Sequence, residues 1–154
     1  MNITFLVGNG FDRNLGLDTT YSKFVEHYKK ITPKTDNLKK FHNYIKDNEE
    51  LWSSAEIAMG KYTGELETGA AEVFSECHTD FCEKLAEYLK SQMERMDYDD
   101  SSESIIKAFS NLNKIIQSFP TQERDVLNAV YKSRNSEQIT FNFICYNYTD
   151  TLDQ

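Results

Sequence analysis

A glycine-rich segment near the start of the chain has residue types that suit binding of a phosphate group. Gly-Asn-Gly at residues 8–10 directly follows an apolar run at residues 3–7 and precedes a predicted helix. Glycines at such a junction let the backbone approach a ligand closely, and free N–H groups at a helix start attract phosphate. Arg13 occupies the third glycine position of a G-x-G-x-x-G pattern, so the spacing alone favours a plain strand-to-helix turn slightly over nucleotide binding. The carboxylate of Asp12 is suited to accept a hydrogen bond from a ribose hydroxyl or to cap the helix, and capping is the more common role.

A second polar motif, Asn-Tyr-Thr-Asp at residues 147–150, follows the last predicted strand. Ligands of open α/β sheets bind outside the carboxyl ends of the strands. If the first and last strands are neighbours, Asn147 and Asp150 face the pocket that Gly8 and Gly10 open. The alternative is that Asn147 turns the chain and Asp150 caps a helix, and spacing alone slightly favours this alternative.

The elements that would position both motifs are two strands separated by helices. Residues 3–7 form an unbroken β-branched and aromatic run, typical of a strand buried on both faces. Residues 139–145 alternate in the manner of a strand. Two strands joined across helices are expected to be parallel, with a right-handed crossover. The predicted fold class is therefore α/β: a Rossmann-like parallel sheet of few strands with a large helical insertion at about residues 20–135, mostly α by residue count.

Apolar residues at helical spacing predict the helices of this insertion, and the clearest helix covers about residues 70–96. Thr19 and Thr20 are suited to cap the first helix, and Ser53 with Glu56 resembles a capping box. The stripes consist of Tyr21, Phe24, Val25 and Tyr28; Leu38, Phe41, Tyr44 and Ile45; Phe74, Cys77, Phe81, Leu85, Leu89 and Met96; Ile105, Phe109, Leu112, Ile116 and Phe119; and Val126, Leu127, Val130 and Tyr131.

Length and composition predict one soluble domain over residues 1–154. The chain has a formal net charge of −8, which disfavours bulk affinity for nucleic acid. It has no apolar run long enough to span a membrane and no basic leader, so a cytoplasmic location is expected. Because two strands are too few for a covered parallel sheet, we expect the nucleotide-binding-like domain to be incomplete, with further strands in a longer protein or a partner.

The histidines and cysteines offer a weaker site. Cys77, His78 and Cys82 have spacing that suggests zinc, but Cys77 lies on the core stripe and a fourth ligand is not evident. Buried structural cysteines are the favoured interpretation, and no metal is predicted. The two other histidines, His27 and His42, also lie in predicted helices, and all three are expected at the surface.

Several segments of the chain resemble the bacteriophage abortive infection AbiH family. They are Gly-Asn-Gly-Phe-Asp at residues 8–12, Gly-Leu-Asp-Thr-Thr-Tyr-Ser-Lys-Phe at 16–24, Trp-x-x-x-Glu at 52–56, Gly-Lys-Tyr at 60–62, and Tyr-Asn-Tyr-Thr-Asp-Thr-Leu-Asp at 146–153. The resemblance covers nearly the whole chain, and the first and last motifs together are specific. Members of the family are typically longer, so the chain is similar to their N-terminal part.

The first and last motifs are in turn similar to the arrangement of motifs with which sirtuin-like proteins bind NAD. By this resemblance Gly8 and Gly10 would contact the diphosphate, and Asn147 would orient the ribose or an attacking water. The sirtuin-like aspartate is displaced, since Thr149 stands two residues after Asn147 and Asp150 one place later. The corresponding histidine would follow the motif, so this chain alone is expected to be inactive. The remaining residues expected to contact the nucleotide are Asn9, Phe11, Asp12, Thr19 and Tyr148.

The resemblance implies an abortive-infection protein that binds NAD and, when complete, hydrolyses its glycosidic bond. Such a transition state is oxocarbenium-like, so a polar side chain must hold water and fixed negative charge must stabilise the sugar. Expected partners are a nucleotide ligand, a phage-derived trigger and a second copy of the chain. The alternatives are a nuclease that acts on RNA, or a non-catalytic sensor of a nucleotide or a phage protein.

Overall fold

The computed structural model describes residues 2–96, 110, 117–133 and 140–149 of the chain. Within them the protein is mostly helical with a small two-stranded parallel sheet. In chain order the elements are β1 (Asn2–Val7), α1 (Gly10–Asn14), α2 (Tyr21–Tyr28), α3 (Asp36–Asp47), a 3₁₀ helix (Glu49–Ser53), α4 (Ala55–Glu65), α5 (Ala71–Met93), α6 (Thr121–Ser133) and β2 (Thr140–Cys145).

The two strands are hydrogen-bonded neighbours and run parallel, as the sequence predicts. Their register pairs Phe5 with Phe143 and Val7 with Cys145, and the rings of Phe5 and Phe143 stack with centroids 5.2 Å apart. The carboxyl ends of β1 and β2 therefore meet at one edge of the sheet. A wider, Rossmann-like sheet stays a prediction, because the described residues form these two strands only.

The expectation that β1 is buried on both faces is wrong. Successive side chains of a strand point to opposite faces, and in β1 they alternate between exposed and half-buried. Leu6 is 68% exposed and its register partner Ile144 is 45% exposed. The continuous apolar run therefore predicts the strand correctly, but it overstates how much of the side-chain surface of the strand is buried.

The contacts within the chain divide it into two compact units. Unit 1 comprises Met1–Leu15 and Met96–Asn147, and unit 2 comprises Gly16–Arg95 and Tyr148–Gln154. Unit 1 holds the sheet with α1 and α6, whereas unit 2 holds α2 to α5. The single domain over residues 1–154 stays a prediction.

An aromatic core holds unit 2 together. The ring of Phe81 lies 5.0 Å from that of Phe24, edge to face, and 5.2 Å from that of Trp52. Phe41 packs against Trp52 and Tyr62 with centroid distances of 5.6 and 4.7 Å. Edge-to-face and tilted pairs of this kind add to the hydrophobic gain of burying large rings. The helical stripes predicted over α2, α3 and α5 are thus the faces that meet in this core.

Threonine side chains fix the starts of two helices in unit 2. The Thr20 hydroxyl accepts the backbone N–H of Lys23 at 3.3 Å at the start of α2. The Thr35 hydroxyl accepts the N–H of Leu38 at 3.2 Å at the start of α3. Such caps satisfy N–H groups that have no partner within the helix. The cap predicted at Thr20 is confirmed.

Some predicted features lie outside the described residues. These are most of the stripe at residues 105–119, the acidic stretch at 97–100, the first residue of the alternating run at 139 and the end of the chain from Asp150. Among the helices that the structure describes, none is both long enough and apolar enough to cross a membrane.

Candidate functional site

The glycine loop, residues 8–12, takes the chain from β1 directly into α1. The N–H of Phe11 donates to the carbonyl of Gly8 at 2.9 Å, and the N–H of Arg13 donates to the carbonyl of Asn9 at 3.1 Å. The loop therefore lies at the carboxyl end of β1, which is the edge of an open α/β sheet where ligands bind.

The space around Gly8 and Gly10 is open. A Cβ atom built on either glycine meets no described atom within 4 Å, and neither residue has a positive φ. Gly16 is different, because its φ of +81° favours glycine by itself. Neither packing nor backbone conformation thus explains glycine at positions 8 and 10.

A hydrogen bond between two polar side chains, the buried Asp12 and the half-buried Asn147, joins the glycine loop to the end of β2. The ladder between the strands continues past Cys145, since the N–H of Tyr146 donates to the carbonyl of Val7 at 2.8 Å. This contact brings Asn147 next to α1, where its Nδ2 donates to Oδ1 of Asp12 at 2.9 Å. Asp12 is 1% exposed and lies within α1, so the predicted capping role of Asp12 is wrong.

The hydrogen bond to Asp12 fixes the orientation of the Asn147 amide. An ionised carboxylate only accepts hydrogen bonds, so the amide nitrogen must face Asp12 and the amide oxygen must face away. The Oδ1 atom of Asn147 is buried and has no hydrogen-bond partner among the described residues. Buried polar atoms normally have a partner. This oxygen is therefore placed to accept a hydrogen bond from a hydroxyl group or a water.

A second polar cluster, the tyrosine–glutamate cluster, lies in unit 2 and consists of Tyr21, Glu56 and Tyr148. The Tyr21 hydroxyl donates to Glu56 Oε1 at 2.9 Å, and the Tyr148 hydroxyl donates to the same atom at 3.2 Å. The two hydroxyl oxygens are 2.6 Å apart. One carboxylate oxygen thus ties α2, α4 and the segment after β2 together within unit 2.

Proton affinities in the cluster follow from these contacts. Burial, and then the hydrogen bonds to Tyr148 and Glu56, raise the pKa of Tyr21 well above its ordinary value. A backbone hydrogen bond from its own N–H, and then the tyrosine hydroxyls, lower the pKa of Glu56. The glutamate is therefore an anion and the tyrosine a neutral donor at neutral pH.

The structure separates the residues predicted for the site into two groups. Unit 1 contains the glycine loop and Asn147, whereas unit 2 contains Thr19, which is 7% exposed, and Tyr148, which is 60% exposed. Asp150 lies outside the described residues. The roles of all these residues in ligand binding and catalysis stay predictions. They are Gly8, Asn9, Gly10, Phe11, Asp12, Thr19, Asn147, Tyr148 and Asp150.

The sequence reasoning did not identify Glu56 as a partner of the two tyrosines. The capping box of Ser53 with Glu56 is wrong, because α4 begins at Ala55 and the Ser53 hydroxyl donates to the carbonyl of Glu50. The Trp-x-x-x-Glu segment, which resembles the AbiH family, was the feature of the sequence that drew attention to Glu56. The spacing of residues in the sequence could not identify the hydrogen-bond partners of Glu56, since Tyr148 is 92 residues away.

The three histidines differ in burial, which corrects the expectation that all lie at the surface. His42 is 4% exposed, and its ring lies 4.4 Å from that of Tyr28. Burial lowers the pKa of His42. His27 is exposed and its ring lies 5.1 Å from that of Tyr88. The stripe pattern missed His42 because it counts imidazole as polar, although the ring packs as an aromatic.

The cysteines of α5 are free thiols with different surroundings. Cys77 is buried in the core, and burial raises the pKa of its thiol. Cys82 is exposed, and its Sγ lies 3.7 Å from Nε2 of His78. Among the described residues, no three histidine, cysteine or acidic side chains are grouped so that they could hold a metal ion.

Fold and site together define a class: a mostly helical protein with a small parallel sheet, in which the Asp12–Asn147 pair lies at the carboxyl ends of the two strands. The model of the family described as bacteriophage abortive infection AbiH matches residues 4–154. The chain therefore belongs to the AbiH family, and its role is in phage abortive infection. No curated protein and no solved structure matches the chain.

Proposed function

We propose that the glycine loop and Asn147 bind NAD, and that the complete protein hydrolyses the N-glycosidic bond of NAD during abortive infection. The observation that carries the proposal is the buried Oδ1 atom of Asn147, fixed by Asp12 and without a partner among the described residues. The open backbone at Gly8 and Gly10 supports it, because a diphosphate needs close approach to N–H groups.

The reaction assigns a distinct task to the Asn147 amide. A water oxygen forms a bond to C1′ of the nicotinamide ribose while the C1′–N bond breaks, and the electron pair of that bond goes to the pyridinium nitrogen. Nicotinamide leaves as a neutral molecule, and a proton of the water passes to solvent. Asn147 Oδ1 would accept a hydrogen bond from the attacking water or from a ribose hydroxyl, which reduces the entropic cost of reaching the transition state.

The buried carboxylate of Asp12 supports the same task in two ways. It holds the Asn147 amide in one orientation. It also places a negative charge near the end of β2, and fixed negative charge stabilises a sugar that becomes positively charged in the transition state. An apolar residue at position 12 would lose both effects.

Binding is tested with the chain itself by isothermal titration calorimetry with NAD. We expect Asn147→Ala to weaken binding about tenfold or more, since it removes a hydrogen bond in a buried site. Asn142→Ala is the matched control, because Asn142 is an exposed asparagine of β2. Equal affinities of the two variants for NAD would contradict the assignment of the site.

Hydrolysis is tested by mass spectrometry of NAD, nicotinamide and ADP-ribose in infected cells that express the complete protein. We expect NAD loss with the native protein and none with Asn147→Ala. Persistent protection with unchanged NAD would refute the hydrolase. Recovery of intact NAD from the purified complex would instead favour the sensor alternative, and degraded RNA would favour the nuclease.

A further inference from the structure

Unit 2 contains a polar pocket that neither the glycine loop nor the tyrosine–glutamate cluster uses. The cavity measures about 200 Å³ and lies between α2, with Asp18 before it and Lys30 after it, and the last turns of α5, with Arg95 after it. We propose that this cationic pocket binds the phosphate group of a small phosphorylated ligand. Its cations are Lys23, Lys30 and Arg95.

The net charge of the residues that line the pocket is opposite in sign to the net charge of the chain. Three fixed cations face two carboxylates, Asp18 and Glu26, so the lining has one net positive charge, whereas the chain as a whole has a formal net charge of −8. Glu26 is already paired with Lys23 at 3.0 Å. Lys30 and Arg95 also line the pocket, and among the described residues neither forms an ion pair.

A buried amide gives the pocket a second and independent feature. Gln92 lines the cavity and is only 5% exposed. Its side-chain amide makes no hydrogen bond within the described part of the chain and is not enclosed by protein atoms, so it is open to the cavity that it lines. Amide N–H groups donate readily to phosphate oxygens. A phosphate in the pocket would thus accept hydrogen bonds from Gln92, Lys30 and Arg95 at once.

The positions of the two cations also have a simpler explanation, which accounts for only part of the pocket. Lys30 and Arg95 each follow the end of a helix, where a cation offsets the partial negative charge of the last carbonyls. That role needs neither a cavity nor a buried amide beside it. The coincidence of all three features is what indicates a ligand.

Size and charge restrict the ligand that the pocket can take. A volume of about 200 Å³ is below the range of pockets that enclose whole drug-sized ligands, roughly 300–1,000 Å³. The two carboxylates would repel a long polyanion such as RNA. A phosphate monoester, with the rest of the ligand in solvent, fits both limits. The proposal is independent of NAD binding, since its residues all belong to unit 2.

The test is an NMR titration of the ¹⁵N-labelled chain with inorganic phosphate and, separately, with AMP. We expect saturable shifts at the Gln92 side-chain amide and at Ser91. Lys30→Gln with Arg95→Gln is expected to weaken the affinity for either probe about tenfold or more. The matched control, Lys34→Gln with Lys61→Gln, removes two exposed lysines that do not line the pocket and is expected to change the affinity less than twofold.

The outcomes separate this pocket from the glycine loop. Gly10→Val is expected to leave the affinity of the pocket for inorganic phosphate unchanged. Equal affinity of the pocket and control variants for phosphate would overturn the proposal, as would binding that only Gly10→Val removes. Affinity for AMP above that for phosphate would show that the pocket also contacts the nucleoside. Circular dichroism melting curves of all variants verify that each is folded.

Discussion

The two compact units hold their carboxylates in opposite ways. In unit 1, Asp12 is 1% exposed and contacts Asn147, although the neighbouring sheet leaves apolar side chains such as Leu6 in solvent. In unit 2, Glu56 is exposed and contacts two tyrosines at the edge of a closed aromatic core. Burying a carboxylate costs free energy, and a buried carboxylate held by a fixed hydrogen bond suits a catalytic role. An exposed carboxylate whose hydrogen bonds are made suits the joining of structural elements. We therefore expect stability to depend mainly on the core of unit 2, whereas the candidate chemistry lies in unit 1.

The largest expected effect tests whether the core of unit 2 dominates stability. Phe81→Ala removes a ring that contacts Phe24 and Trp52, and we expect a loss of about 3–5 kcal/mol in the free energy of unfolding. Leu6→Ala in β1 is expected to cost no more than roughly 0.5 kcal/mol because Leu6 is largely exposed. Urea denaturation of both variants measures the difference. Similar losses would show that the sheet is better covered than the described residues indicate.

The next effect tests the Asp12–Asn147 pair of unit 1. Asp12→Ala and Asn147→Ala each remove the hydrogen bond between a buried carboxylate and a half-buried amide, and we expect each to cost about 1–3 kcal/mol in the free energy of unfolding. The double variant should cost less than the two single variants together, with a coupling of roughly 0.5–3 kcal/mol. Strict additivity would mean that the two side chains act separately.

The glycines offer a comparison within the first 16 residues. Gly16→Ala must place a side chain at a φ of +81°, and we expect a cost of about 1–2 kcal/mol in the free energy of unfolding. Gly10→Ala is expected to stabilise the chain by about 0.5–1 kcal/mol, since Gly10 begins α1 and its surroundings are open. Thermal melting distinguishes the two variants. Destabilisation by Gly10→Ala would mean that folding, and not a ligand, requires this glycine.

The tyrosine–glutamate cluster should contribute less to the free energy of unfolding than the Asp12–Asn147 pair. Tyr148→Phe removes one hydroxyl that donates to Glu56 at the surface, and we expect a loss of about 0.5–1.5 kcal/mol. Tyr146→Phe is the matched control, because Tyr146 is similarly exposed and is not part of the cluster. Denaturant melts at pH 7 measure both variants. Equal losses of unfolding free energy in the two variants would show that the cluster does not contribute to stability.

The smallest effect is a pH dependence that comes from His42. Its pKa is lowered by burial, so the folded state binds this proton less readily than the unfolded state. The contribution of His42 to stability is therefore fully present above its ordinary pKa of 6.5 and is lost as the pH falls towards the lowered value. His42→Phe should melt with a weaker dependence on pH between 7 and 5. An unchanged dependence would contradict the burial of a neutral imidazole.

Sequence patterns predicted the parts of the fold that depend on local repetition. The stripe of α5 repeats every three or four residues because one face of a helix meets the core, and β2 alternates because a strand has two faces. The same patterns could not tell that Leu6 is exposed or that His42 is buried, since coverage depends on elements distant in sequence. The site was predicted as two motifs, but the contact between Asp12 and Asn147 spans 135 residues and required the observed strand pairing.

The sequence by itself determined the apolar faces of α2, α3 and α5, the two strands, the glycine loop at the end of β1 and membership of the AbiH family. Those features reside in residue type and spacing. Only the tertiary structure decided that Asn147 donates to a buried Asp12, that Glu56 joins two tyrosines and that cations surround a pocket with Gln92. Each of these arrangements depends on distances between residues far apart in the chain, and such distances exist only after the helices and strands have packed.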